Sequence, residues 1–73
     1  MTPAEAATKA AGILGNKAKM AKLLDVRPPT VNQWCSGVRP IPPARAIQID
    51  NLTEGQVKRE DLCPAFPWNG AAA

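Results

Sequence analysis

Two pairs of adjacent prolines, Pro28–Pro29 and Pro42–Pro43, constrain this chain more than any other feature. Proline fixes φ and has no N–H, so within a helix it removes a hydrogen bond and collides with the preceding turn. In the first turn neither penalty applies, because the N–H groups there have no intrahelical partner. Each pair is followed by apolar residues at helical spacing. Val31, Trp34 and Cys35 follow the first pair. Ile47 and Ala44 follow the second, with Ile49 or Leu52 completing the stripe. The pairs therefore predict two helix starts. One helix runs from the prolines to about Ser36 and is ended by Gly37, and the other is "ARAIQIDNL", closed by Gly55.

Upstream, Thr2, Pro3 and Glu5 form the signature of a capping box, which predicts a first, alanine-rich helix ending near Gly12 to Gly15. Asn16 is a suitable cap for a second helix, "KAKMAKLL". Downstream, "VKREDL" fits a short helical turn or a brief extended segment, and "CPAFPWNGAAA" an irregular end. The expected fold is all-α, a compact domain of four to five helices. Residues 1–64 make up the single domain and 65–73 its tail. Alanine supplies much of the 45% apolar content, with one Phe and no Tyr, so leucines, isoleucines, valines and both tryptophans are expected to define the core. Phe66 and Trp68 fit either a return onto that core or a dimer contact.

Residues 17 to 36 read as one unit, two short helices joined by a three- or four-residue break, as in a helix-turn-helix. Ala21 is the small residue where the helices meet, Met20, Leu24 and Val26 flank the turn, and Val31 and Trp34 line the inner side of the second helix. Asp25 stands where such turns usually carry glycine. Aspartate tolerates the left-handed backbone better than most residues with a Cβ.

The outer side of the helix after Pro28 is more informative than the inner one. With Val31, Trp34 and Cys35 inward, the opposite arc holds Pro29, Asn32, Gln33 and Ser36, with Thr30 at its edge. A face that only meets water usually carries Lys and Glu, whereas this one is polar, uncharged and centred on two amides. Amide side chains pair with adenine N6 and N7 in the major groove, and Pro29 and the Thr30 methyl suit a thymine methyl. Arg27, at the helix cap, suits a guanine edge, a phosphate or solvent. Asn16, Lys17, Lys19 and Arg39 are the candidate phosphate contacts, which fix register without reading sequence.

Charge agrees with this reading. Net charge is only +3, but from Lys9 to Arg45 seven basic residues face the single acid Asp25, while the later part is mildly acidic. One cationic side is the footprint of a polyanion-binding protein. Catalysis and metal binding are disfavoured, since the chain lacks histidine and 73 residues leave little room for a pocket. No cofactor or small-molecule ligand is expected. The opening "MTPAEAATKAAG" has neither a basic nor an apolar signal region, and no apolar run nears the roughly 18 residues of a membrane span. Cys35 and Cys63 are therefore expected as free thiols in a cytoplasmic protein.

The "V-x-Q-W" run at Val31 to Trp34, Gly37, "IPPARA" before the last long helix and "REDLCP" near the end resemble the Cro/YdaS-like family of small phage and prophage regulators. The resemblance spans roughly residues 10 to 64 and departs from the family at Asp25, usually glycine, and Arg27, usually serine. It implies a lambda-repressor-like DNA-binding domain. It further implies a repressor that occludes a promoter, or alternatively the regulatory partner of a prophage toxin pair, in a bacterial or phage-infected cell. A module this small is expected to bind its operator as a homodimer. The rival from another class is a protein-interaction module such as an antitoxin, because fold does not fix function.

Overall fold

A computed structural model describes residues 1–68, which form five α-helices and no strand. The helices are α1 (Pro3–Leu14), α2 (Lys17–Leu24), α3 (Pro28–Ser36), α4 (Pro43–Leu52) and α5 (Arg59–Leu62). The expected all-α class is the one found, with α2, its turn and α3 forming the helix-turn-helix.

α1 begins at the capping box. The Glu5 amide donates to Thr2 Oγ1 at 3.1 Å, and the Thr2 amide donates to Glu5 Oε1 at 2.9 Å. Donation from the Thr2 backbone N–H is the main reason the Glu5 carboxyl lies below the usual carboxylate range. The buried side of α1 is built entirely from Ala6, Ala7, Ala10 and Ala11. Such a face lets α2, α3 and α5 pack against α1 at close range. The core is thus only partly the set of large residues expected. Met20, Leu24, Val31, Trp34, Ile41, Ile49, Val57 and Leu62 are buried, whereas Ile13, Leu23, Val38 and Leu52 are exposed.

Asn16 caps α2, its Oδ1 accepting from the Lys19 amide at 2.7 Å. The helix ends where Asp25 takes the left-handed conformation, φ 57° and ψ 45°. There Val26 N–H donates to the Ala21 carbonyl at 2.9 Å and Asp25 N–H to Lys22 at 3.2 Å. Aspartate does at this turn what glycine usually does. Gly37, at φ 80°, ends α3 in the same hand, with Val38 N–H donating to Gln33 at 3.0 Å.

The phase expected for α4 needs correction. Ala46 and Ile49 are its buried residues, Ile47 is half-buried, and Ala44 and Leu52 are exposed. The inward stripe continues into Thr53, which is buried although polar. Its hydroxyl donates to the Ile49 carbonyl at 2.9 Å and accepts from Val57 N–H at 3.2 Å. An apolar-only pattern passes over this threonine and so rotates the helix onto Ile47.

"VKREDL" resolves as a helical turn, α5, rather than an extended piece. It is latched to α4 by Asp50, whose Oδ2 accepts from Arg59 Nε at 3.0 Å and from the Arg59 amide at 3.1 Å. Of the two readings for the aromatic tail, Trp68 follows the return to the core. It packs against the core, donates from Nε1 to the Cys63 carbonyl at 2.9 Å, and lies 4.6 Å from the Phe66 ring between centroids. The remainder of the expected tail, 69–73, falls outside the described residues. Cys35 and Cys63 are both free thiols. Among the described residues no helix is long and apolar enough to cross a membrane.

Candidate nucleic-acid interface

α3 is anchored on one side and open on the other. Val31 is fully buried and Trp34 nearly so, while Cys35 is half-buried at the edge of the inward stripe. Trp34 Nε1 has no hydrogen-bond partner among the described residues, so this ring serves the core through its area rather than its polar atom. Pro29, Asn32 and Ser36 are exposed, and Gln33 and Thr30 are half-buried. Pro29, Asn32, Gln33 and Ser36 follow one another at i, i+3, i+4 and i+7, which places them on one stripe of the helix surface.

The hydrogen-bonding capacity of that stripe follows from its internal bonds. The amides of Asn32 and Gln33 make no hydrogen bond within the described residues, so each keeps a donor and an acceptor for a base edge. Ser36 donates its hydroxyl to the Gln33 carbonyl at 3.2 Å, which leaves its oxygen as an acceptor. Pro28 and Pro29 have no N–H, and Thr30 N–H is turned back to the Arg27 carbonyl at 3.0 Å. The N-terminus of α3 therefore presents little backbone donor capacity, unlike the phosphate-binding end of an ordinary helix.

The start of α2 has the opposite character. Asn16 uses Oδ1 as the cap and keeps its side-chain N–H₂ as a donor. The N–H groups of Lys17 and Ala18 lie at the open end of the helix, beside the exposed Lys17 and Lys19 side chains. Exposed Arg27 and Arg39 flank α3, one at its N-cap without a side-chain capping bond and the other just beyond Gly37. Every residue expected to touch bases or phosphates thus lies on α2, on α3 or at their ends, and each keeps some exposure.

Two further basic residues of this stretch differ, Lys9 being exposed and Arg45 turned inward. Lys9 lines a shallow groove with Ala4, Glu5, Thr8 and Cys35, on the seam between α1 and α3. Arg45 is half-buried, and Nη1 donates to the Leu24 carbonyl at 2.8 Å and to Gln48 Oε1 at 2.7 Å. Arg45 lies within the "IPPARA" run, but only the folded arrangement shows where its guanidinium goes.

Residues 7–70 match the profile of the family described as bacterial toxin YdaS. The chain belongs to the YdaS family. It is 43% identical over 61 residues to a candidate transcriptional regulator named YdaS from Escherichia coli, covering 84% of this chain. That alignment takes in 62% of the Escherichia coli protein, so this YdaS-family chain spans less than two thirds of that relative's length. It is also 41% identical over 59 residues to the regulatory protein cro of Pseudomonas phage D3, covering 81% of each chain. No solved structure matches it. The suspected kinship with Cro and YdaS is therefore correct.

Proposed function

We propose that this chain is a sequence-specific, double-stranded DNA-binding transcriptional regulator that represses by occluding a promoter. The observation that carries the reading is the amide-centred stripe of exposed Pro29, Asn32 and Ser36 and half-buried Gln33, along a helix anchored by Val31 and Trp34. α3 lies in the major groove. Asn32 and Gln33 pair with adenine edges, Pro29 and Thr30 meet thymine methyls, and Ser36 accepts from an exocyclic amine. Arg27 reaches a guanine edge or the adjoining phosphate. Asn16, Lys17 and Lys19 grip phosphates at the start of α2, and Arg39 grips one beyond α3.

The DNA-binding module is residues 1–64, with 65–73 as its tail and Trp68 as a brace. Two copies occupy half-sites about 34 Å apart, one helical turn, and the protein works as a homodimer on its operator. Occlusion needs no catalysis, cofactor or small ligand. The names of the Escherichia coli and phage relatives support regulation as the role, and such a role places the protein in the cell that holds the operator.

The family's description as a bacterial toxin favours a second reading, in which the chain acts on a protein partner within a prophage toxin pair. One set of measurements separates the two. Asn32→Ala and Gln33→Ala are each expected to lose about 1–3 kcal/mol on the preferred duplex and to relax its base preference. Unchanged preference in both variants removes the base-reading role. A wild-type chain that ignores duplex DNA but co-purifies with the product of a neighbouring gene favours the second reading.

A further inference from the structure

We propose that Arg45 is a positioning residue, which ties α4 to the helix-turn-helix and so sets the angle at which α3 is presented. The inference rests on the DNA-binding reading above. It begins from a shortage of donors. A helix leaves its last carbonyls without intrahelical partners, and the following turn normally supplies some. At the end of α2 the turn serves Ala21 and Lys22 through Val26 and Asp25. The Leu24 carbonyl is left over. Four and five residues on stand Pro28 and Pro29, which have no N–H to give, and Arg27 N–H, three residues on, makes no bond to it within the described residues. The prolines that start α3 thereby remove the helical donor, four residues on, from the last carbonyl of α2.

Arg45 answers that need from another helix. Its Nη1 carries two hydrogens, one for Leu24 O at 2.8 Å and one for Gln48 Oε1 at 2.7 Å. Gln48 stands one turn further along α4 and holds the guanidinium in place. A cation at this point also complements the negative end of α2. The second proline pair sets where α4 begins and hence where Arg45 stands. Arg45 consequently acts on DNA through the turn, not by touching a phosphate.

This distinction is measurable with duplexes selected from a random pool by the wild-type chain. Arg45→Met keeps an apolar stem of similar reach and removes the donors. It is expected to weaken binding about tenfold while leaving the slope of log Kd against log salt unchanged. Arg39→Met, which removes a phosphate contact, is expected to reduce that slope by about 0.9. In the free protein, Arg45→Met is expected to speed amide exchange at Asp25 and Val26, a readout that needs no DNA.

If circular dichroism shows that Arg45→Met does not fold, Gln48→Met carries the test. It frees the guanidinium from its second partner and is expected to weaken binding severalfold at constant slope. A slope reduced by about 0.9 in Arg45→Met makes Arg45 a phosphate contact and overturns the inference while leaving the DNA reading in place. Unchanged affinity together with unchanged amide exchange, in whichever of the two variants folds, also overturns it. Failure of the wild-type chain to bind any duplex removes the DNA reading itself, and this inference with it.

Discussion

At Asp25 one side chain serves a backbone position that glycine serves more easily. Its φ of 57° is left-handed, a conformation that costs an L-residue roughly 1–2 kcal/mol, less for aspartate than for most. The Asp25 side chain makes no hydrogen bond within the described residues that offsets the strain. It also sets a negative charge in the turn beside the exposed Arg27. Asp25→Gly is expected to raise stability by about 0.5–1 kcal/mol, roughly 4–8 °C in Tm per kcal/mol at this size. Asp25→Asn keeps the tolerance for this backbone and removes the charge. It is expected to leave Tm nearly unchanged and to tighten duplex binding. A lower Tm for Asp25→Gly would show that the carboxylate contributes more than the backbone loses. This departure from the family pattern was legible in the sequence, because aspartate is among the few residues that fit such a turn.

At the scale of elements, the helix boundaries were readable because specific residues mark them. Thr2 and Glu5, Asn16, and the two proline pairs all start helices where expected. The phase of α4 was not readable, because its inward stripe uses Thr53, whose hydroxyl is satisfied only once Val57 folds back. Arg45 was hidden for a similar reason, since its partner Leu24 lies on a different helix. The α4–α5 corner adds a pH-dependent latch. Burial pushes the Asp50 carboxyl up, but donation from the Arg59 side chain and backbone outweighs burial and holds it below the usual carboxylate range. A depressed carboxyl contributes stability that is fully present above its unfolded value, about 3.9, and is lost as pH falls through the folded value. Thermal stability is therefore expected to fall as pH drops below about 4, with Glu5 acting in the same direction. Asp50→Asn is expected to flatten that limb without abolishing it. An identical acid limb in Asp50→Asn would mean that the latch contributes nothing to stability.

The whole molecule divides its labour between its ends. α1 offers an alanine face on which the helix-turn-helix is set, and α5, held to α4 and beside the core-packed Trp68, packs on the same helix. On the helix-turn-helix the exposed cations gather on α2 and at the two ends of α3, Lys9 stays exposed on the adjoining seam of α1 with α3, and Arg45 is turned to the interior. Charge counted along the chain overstates the cationic side by Arg45, whose guanidinium is turned inward on folding. The most direct test of the account is selection of bound sequences from a random duplex pool by the intact chain. Enrichment is expected of an A·T-containing, two-fold symmetric site whose half-site centres lie about one helical turn apart, roughly 10 base pairs. A pool left unenriched after repeated rounds, or enriched without sequence preference, would contradict it.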